Sequence, residues 1–380
     1  MTAPHDRPIK LTILTSSRAD YSILSPLLKL LRELPSFQLR IAAFGMHLLP
    51  SQQSSLSAIA EDGYPVDHIG KAPQGDKPHD IAASMGATTT AFARYFSAAC
   101  PDVLLCVGDR FEMLAAVSAS VPFDLRVVHL HGGEETAGAM DDVFRHAITA
   151  MSWLHLTAHE NYAKRVREIV GPKAKDHVFA IGALGIDALM QEARLDVAAF
   201  QEAFGVDMSR ATFLATFHPE TRRGADVLSD TDAFVDALFL REEQLILTAP
   251  NIDTYGDQLR TRLIDRLRER KNTHVFETLG RKGYYSALAL CSLVIGNSSS
   301  GIIEAASFGK PVVNIGGRQA GRLRGVNVID CPPDTDSILA AISQANALTF
   351  SEPTNIYGDG RAAGRALAVL ERALTEGPDN

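Results

Sequence analysis

The feature that most constrains the fold is the repeated alternation of short apolar segments with helix-like segments along the whole chain. In the first half, segments such as LTILTSS, PDVLLCVGD and LRVVHLHGG each precede a helix-like stretch. Continuous apolar strands that alternate with helices are typical of parallel sheets covered by helices on both faces. The sequence therefore predicts an α/β fold built from doubly wound parallel sheets.

The alternation is interrupted once, between about Phe179 and Asp187, where the segment AIGALGID contains two glycines. It restarts at ATFLATFHP and continues through CSLVIGNSSS and KPVVNIGG. A chain of 380 residues is too long for one ordinary core and suits two. We therefore expect Rossmann-like domains over residues 1–184 and 185–361, with a ligand in a cleft between their carboxyl strand ends. We expect the last helix, within 362–380, to pack back on the first domain and the hinge to lie at the two glycines.

The composition excludes several classes of protein. Hydrophobic residues make up 46% of the chain and charged residues 22%, and the net charge of -8 gives no basic footprint for nucleic acid. The four cysteines lack C-x-x-C spacing, which argues against a disulfide framework and a structural zinc site. No apolar run approaches the roughly 20 residues that cross a bilayer. We expect a cytoplasmic protein whose partner is a small molecule, with no nucleic acid and no membrane.

The segment with the most ionisable side chains is HLHGGEETAGAMDDVFRH, residues 129–146. This segment contains four carboxylates, three histidines and a glycine pair, and it follows an apolar strand that starts at Leu125. Open α/β sheets bind their ligands at the carboxyl ends of the strands. The sequence therefore predicts that catalytic groups lie here.

Polar turns follow two other predicted strands. The turn around Arg18 can offer backbone N–H groups and a guanidinium to an anion, or its serines and Asp20 can simply cap a helix. The segment GNSSSG, 296–301, can hold a phosphate, but it lacks the lysine of a Walker A loop. The carboxylate of Glu304 can accept hydrogen bonds from the hydroxyl groups of a ribose, or Glu304 can be an ordinary helix residue.

Two further strand ends carry basic side chains. His218 ends a strand before a proline, which fixes where its imidazole points, although a lone histidine there is more often structural. Arg318 follows another apolar strand and can bind a diphosphate through two hydrogen bonds. Both residues are therefore candidates for nucleotide binding.

Taken together, five ordered motifs resemble the hydrolysing UDP-N-acetylglucosamine 2-epimerases, including those of sialic acid biosynthesis. These motifs are SSRADYS (16–22), GDRFE (108–112), HGGEETAGAMDDVFRHAIT (131–149), FHPET (217–221) and GNSSSGIIEAASFGKPVVNIGGRQAGR (296–322). The resemblance covers nearly the whole chain. It implies a GT-B fold of two Rossmann-like domains. It also implies a reaction in which UDP leaves the sugar, a glycal forms by anti elimination, and water adds to give free N-acetylmannosamine.

The resemblance also implies roles for individual residues. Asp109 and Asp141 match positions that the family uses as acid and base. Some members carry a catalytic glutamate at the position of His131; here Glu134 is the nearest carboxylate, and we expect it to take that role, with His131 as the alternative. The positions expected to bind the UDP-sugar are Arg18, Ala19, Asp20, Ser22, His47, Arg110, Arg145, His218, Asn251, Ser298, Ser299, Ser300, Glu304 and Arg318.

No cofactor and no metal are expected, because cationic side chains and the serine segment can neutralise the diphosphate leaving group. We expect a homo-oligomer, either a dimer or a tetramer. Three alternatives stay open at this point. The first is the same reaction on a 2,4-diacetamido sugar of the legionaminic acid pathway, carried by uridine or guanosine diphosphate. The second is a GT-B glycosyltransferase, and the third is the non-hydrolysing epimerase, whose members usually show an HVEAGLRT-like run in place of HLHGGEET.

Overall fold

The computed structural model describes residues 7–50, 53–75, 77–135, 140–172, 174–218, 226–248 and 256–375. The chain forms two compact units. Unit 1 comprises Met1–Glu134, Ala139–Met190 and Tyr357–Asn380, and unit 2 comprises Glu135–Gly138 and Gln191–Ile356. The glycines Gly182 and Gly185, which we expected at a hinge, both lie inside unit 1, which continues as far as Met190.

Unit 1 contains a seven-stranded parallel sheet with the strand order β3-β2-β1-β4-β5-β6-β7. The strands are β1 (Ile9–Thr15), β2 (Phe37–Ala43), β3 (Val66–His68), β4 (Val103–Val107), β5 (Arg126–Leu130), β6 (Leu154–Thr157) and β7 (Val178–Ala180). The helices are α1 (Arg18–Arg32), α2 (Gln53–Glu61), α3 (Pro78–Ala99), α4 (Phe111–Ser120), α5 (Asp141–Met151), α6 (Glu160–Val170) and α7 (Leu184–Gln191).

Both faces of this sheet are buried, which explains why its strands are continuously apolar. Successive side chains of β1 point to opposite faces. Ile13 belongs to the core cluster that contains α1 residues such as Leu24, whereas Leu14 belongs to the cluster that contains Phe92 and Met113 of α3 and α4. The strand order reverses between β1 and β4, so the carboxyl ends of these strands form a topological switch point.

Unit 2 contains a six-stranded parallel sheet with the order β10-β9-β8-β11-β12-β13. The strands are β8 (Thr212–Thr216), β9 (Gln244–Thr248), β10 (Thr273–Phe276), β11 (Leu293–Gly296), β12 (Val312–Ile315) and β13 (Val328–Cys331). The helices are α8 (Val197–Phe204), α9 (Asp226–Phe239), α10 (Gly256–Arg268), α11 (Gly280–Leu290), α12 (Ser299–Ile303) and α13 (Thr335–Asn346). Here the order reverses between β8 and β11, which is the second switch point.

The last helix, α14 (Ala362–Thr375), belongs to unit 1. The buried carboxylate of Asp187 accepts hydrogen bonds from the backbone N–H groups of Ala362 at 2.9 Å and Ala363 at 2.7 Å, so a side chain of α7 caps this helix. Ala366 and Leu370 then pack in the core beside α1. Within the described residues, no helix combines the length and the apolar character needed to cross a membrane.

Candidate active site

Three polar segments of unit 1 lie at the carboxyl edge of its sheet. Asp109 follows β4 after Gly108, whose φ of +92° favours glycine, and His131 follows β5. Because the two strands are parallel neighbours, their ends meet at the same edge. Asp141 and Asp142 occupy the first turn of α5, the helix that comes after β5.

A buried guanidinium joins these segments. Arg145 of α5 is only 2% exposed. Its Nη1 atom donates to the Asp142 carboxylate at 2.5 Å and to the backbone carbonyl of Glu134 at 2.6 Å, while Nη2 pairs with the carboxylate of Asp109. Charge-assisted hydrogen bonds of this kind are strong and directional. The expected contact of Arg145 with the substrate stays a prediction, and in the structure its guanidinium joins the candidate catalytic residue Asp109 to Asp142 and the backbone of Glu134.

The two carboxylates that pair with Arg145 are Asp109 and Asp142, and Asp141 lies next to Asp142 in the chain. Burial raises the pKa of its carboxyl group, and the neighbouring charges of Asp109 and Asp142 raise it further, while Arg145 and Arg110 act in the opposite direction. A carboxyl group whose proton is held more tightly than usual can act as a general acid or base near neutral pH. Asp109 and Asp141 therefore have different environments, one ion-paired and one disposed to keep a proton.

His131 and Glu134 form a second pair. The imidazole Nδ1 atom lies 2.8 Å from Oε1 of Glu134, and both side chains are largely buried. His131 adopts a left-handed backbone conformation with φ of +63°, which is uncommon for a residue other than glycine. The loop turns tightly at Gly133, where a Cβ atom would lie 2.4 Å from the carbonyl oxygen of Tyr162. The two candidates for the second catalytic role thus contact each other.

The turn after β1 is held by its own acidic residue. Asp20 accepts hydrogen bonds from the N–H group of Ser16 at 2.8 Å and from its hydroxyl at 2.7 Å, and burial raises the pKa of Asp20. Ser17 caps α1. Among the other predicted contacts in this turn, Arg18 and Ala19 are exposed and Ser22 is half-buried.

Two other predicted contacts, His47 and Arg110, are paired with neighbouring side chains. His47 is fully buried between the hydroxyl of Thr15, 2.9 Å from Nε2, and that of Ser55, 2.8 Å from Nδ1. Burial lowers the pKa of His47 to about 4, so its ring is neutral at physiological pH. Arg110 forms a two-pronged ion pair with the buried Glu112, with both contacts at 3.2 Å.

In unit 2, Asn297 connects the ends of β8 and β11. Its side-chain oxygen accepts from the N–H group of His218 at 2.7 Å, and its amide donates to the carbonyl of His218 at 2.8 Å. The backbone carbonyl of Asn297 accepts from Arg318 at 3.1 Å and from Gln319 at 2.9 Å. Gly296 allows this approach, because a Cβ atom there would lie 2.1 Å from the carbonyl oxygen of Thr216. The structure therefore brings the predicted residues His218 and Arg318 to one buried asparagine, the first through its side chain and the second through its backbone carbonyl.

The serine segment leads to a half-buried carboxylate, that of Glu304. Ser298 caps the short helix α12 that contains Ser299 and Ser300. The Ser300 hydroxyl donates to Glu304 and accepts from the Tyr284 hydroxyl at 2.8 Å, while the Tyr285 hydroxyl lies 3.4 Å from the other oxygen of Glu304. Burial raises the pKa of Glu304.

Sequence reasoning missed several of these partners. Tyr284 and Tyr285 lie on α11, and no motif connects them with Glu304. Asn297 stands inside the GNSSSG segment, but its pairing with His218 depends on the order of β8 and β11 in the sheet. The predicted contact Asn251 lies outside the described residues. No group of three or more His, Cys, Asp or Glu side chains in the part of the chain that the structure describes has the geometry to hold a metal ion.

Comparison with known proteins places the chain. The family model described as UDP-N-acetylglucosamine 2-epimerase matches residues 29–371. The UDP-N,N'-diacetylbacillosamine 2-epimerase (hydrolyzing) of Legionella pneumophila is 33% identical over 363 residues, which cover 95% of each chain. The GDP/UDP-N,N'-diacetylbacillosamine 2-epimerase (hydrolyzing) of Campylobacter jejuni is 33% identical over 328 residues, which cover 84% of each chain.

A solved structure supports the fold. The UDP-GlcNAc 2-epimerase of Neisseria meningitidis, crystallised with UDP-GlcNAc, matches with a TM-score of 0.78 at 17% identity, covering 96% of this chain and 100% of that one. The two parallel-sheet units thus define an α/β protein with a GT-B-like fold. The chain belongs to the UDP-N-acetylglucosamine 2-epimerase family, and the resemblance seen in its motifs is confirmed.

Proposed function

We propose that the protein is a hydrolysing 2-epimerase of a UDP-linked 2-acetamido sugar, releasing UDP and the free sugar with inverted configuration at carbon 2. The observation that carries this proposal is the carboxylate group around Arg145, with Asp109 and Asp142 ion-paired and Asp141 disposed to hold a proton. Such a set suits proton transfer at a weakly acidic carbon.

The reaction has two stages. In the first, the bond between carbon 1 and the diphosphate oxygen breaks, its electron pair leaves with UDP, and a base removes the proton on carbon 2 to give a glycal. In the second, a proton is delivered to carbon 2 from the opposite face and water supplies the hydroxyl on carbon 1. The chemistry needs acid and base groups near the sugar and positive charge near the leaving group.

The residues divide between these tasks. Asp141 is the proposed proton-transfer group, because its pKa is raised. Glu134, paired with His131, is the proposed second one. In unit 2, His218 and Arg318 are proposed to contact the diphosphate, and Glu304 the ribose hydroxyls. Neutral His218, whose pKa burial lowers to about 4, would act as a hydrogen-bonding group and leave the positive charge to Arg318.

Two substrates compete. The motifs led us to UDP-N-acetylglucosamine, which would give N-acetylmannosamine. The names of the two relatives that are 33% identical favour UDP-N,N'-diacetylbacillosamine, so we place that substrate first. The relative from Campylobacter jejuni also carries GDP in its name, which keeps a guanosine carrier open. A cytoplasmic location and a dimer or tetramer stay predictions.

The decisive experiment is to incubate the purified protein with each UDP-sugar in D2O and to follow the products by NMR. Release of UDP together with a free 2-epimerised sugar carrying deuterium at carbon 2 is the expected result. A nucleotide-linked epimer would instead indicate the non-hydrolysing reaction. UDP release that requires an added acceptor would indicate a glycosyltransferase. Either of these results would overturn the proposal.

A further inference from the structure

The imidazole of His129 contacts two of the segments that form the candidate site of unit 1, although no motif reasoning gave it a role. His129 is in β5 and is fully buried. Its Nε2 atom lies 3.1 Å from the backbone carbonyl oxygen of Gly108, and its Nδ1 atom lies 3.2 Å from the hydroxyl of Thr149. The ring therefore contacts both the turn after β4 and the middle of α5.

These partners determine the tautomer. A carbonyl oxygen can only accept a hydrogen bond, so Nε2 must carry the proton and donate to Gly108. In a neutral ring, Nδ1 is then the acceptor for the Thr149 hydroxyl. Burial, helped by the nearby charges of His155, Arg145 and His131, lowers the pKa of His129 to about 3 although the hydrogen bond to Gly108 acts in the opposite direction. The ring is therefore neutral at the pH where an enzyme works.

A third segment packs directly on the ring. A Cβ atom at Gly132 would lie 3.2 Å from Nδ1 of His129 and 3.1 Å from the Thr149 hydroxyl oxygen. These distances are tighter than most Cβ contacts, so the loop after β5 passes close to the imidazole and a side chain at Gly132 would require its neighbours to move. The ring thus has the backbone of Gly132 on one side and a hydrogen bond at each nitrogen.

Each of the three segments also carries a candidate catalytic group. Gly108 precedes Asp109, Gly132 lies two residues before Glu134, and Thr149 shares α5 with Asp141. A shift of about 1 Å in such groups can reduce the rate about 100-fold. A residue that touches all three segments can fix their spacing without touching the sugar.

We propose that His129, as the neutral Nε2–H tautomer, is a positioning residue that sets the spacing of Asp109, Glu134 and Asp141 through Gly108, Gly132 and Thr149. The effect on the reaction rests on the proposed function, whereas the tautomer and the spacing do not. His129 would therefore affect the chemical step and leave nucleotide binding by unit 2 unchanged.

The chain offers a matched control for this proposal. His155 is the partner of His129 in the neighbouring strand β6, and it is equally buried. Among the described residues, no hydrogen bond joins the His155 ring to Gly108, Gly132 or Thr149. A phenylalanine at each of the two positions introduces the same change in a similar environment.

The experiment compares His129→Phe, His129→Gln and His155→Phe with the wild type. For His129→Phe we expect kcat to fall about 100-fold while KM and the calorimetric Kd for UDP stay unchanged. His129→Gln keeps an N–H donor at a similar distance, so its kcat should be about tenfold higher than that of His129→Phe. His155→Phe should keep the wild-type kcat. Equal losses in the two phenylalanine variants, or no recovery with glutamine, would overturn the proposal.

A second measurement needs neither substrate nor a variant that folds. Histidine 15N NMR of the wild type should show the neutral Nε2–H tautomer for His129 between pH 5 and 8, and an Nδ1–H tautomer or a titration in this range would refute the proposed spacing role. If the wild type releases no UDP from any sugar nucleotide while His129 shows the expected tautomer, the proposed function fails, whereas the tautomer of His129 and the spacing of the three segments stand.

Discussion

Replacing Arg145 with methionine tests whether the network around its guanidinium organises the site. The substitution keeps most of the buried aliphatic volume but removes the charge that lies between Asp109, Asp142 and the carbonyl of Glu134. Because Arg145 is 2% exposed, water can replace few of these contacts. Removing one partner of a buried ion pair typically costs about 3 to 5 kcal/mol, since it leaves the other charges unpaired.

For a unit of about 200 residues, the free-energy cost of Arg145→Met corresponds to a fall in unfolding temperature of roughly 6 to 20 °C. A surface ion pair of the same unit serves as the control. Arg40 pairs with Asp67 at 2.7 Å, but its side chain is 51% exposed, so Arg40→Met should cost less than about 1 kcal/mol. Differential scanning calorimetry of the two variants gives the comparison. Equal shifts for Arg145→Met and Arg40→Met would refute the role given to Arg145.

The same variant has a predicted pH signature. The positive charge of Arg145 lowers the pKa of Asp141, so its removal should raise that pKa. If ionised Asp141 removes the proton from carbon 2, the acid limb of the kcat/KM profile must move to higher pH. Arg145→Lys keeps a positive charge, though without the planar fork, and should shift the limb less. A limb that moves to lower pH in Arg145→Met would contradict the electrostatic reasoning.

The remaining predictions concern single residues of the two units and the absence of a metal requirement. Asp141→Asn should lower kcat about 100- to 10,000-fold. Folding raises the pKa of Asp141, so the ionised carboxylate disfavours the folded state at pH 7. Asp141→Asn should therefore unfold at a higher temperature than the wild type at pH 7, and this difference in unfolding temperature should disappear as the pH falls to the ordinary carboxyl pKa. Calorimetry at pH 7 and pH 4 checks the sign. Glu134→Gln should reduce kcat more than His131→Gln in steady-state assays, and the reverse order would assign the second catalytic role to His131. Glu304→Gln should weaken UDP binding about tenfold in calorimetry with little change in kcat, and unchanged affinity would remove Glu304 from the ribose contact. Activity should persist in EDTA, and a loss that added Mg2+ restores would show a metal requirement.

The sequence by itself determined the class of fold, because backbone hydrogen bonding and burial impose local patterns. A strand that is buried on both faces appears in the sequence as a continuous apolar run, as in β4. In the helix that follows, the apolar residues recur with a different period. The motifs also identified the strand ends that carry chemistry, such as those of Asp109 and His218, since parallel strands present their carboxyl ends at one edge. These local patterns needed no knowledge of contacts that are distant in the sequence.

Only the tertiary structure decided which of these groups act on each other. Arg145 appeared in the sequence as one more candidate for binding an anion, but the folding of α5 against the ends of β4 and β5 buries its guanidinium among carboxylates. The pairing of Asn297 with His218 depends on β8 and β11 being neighbours although 79 residues separate the two positions. The position of His129 between Gly108 and Thr149 is likewise a product of packing. Burial and pKa shifts arise from such long-range neighbours, which is why a residue pattern can mark where the site lies but cannot assign each side chain its task.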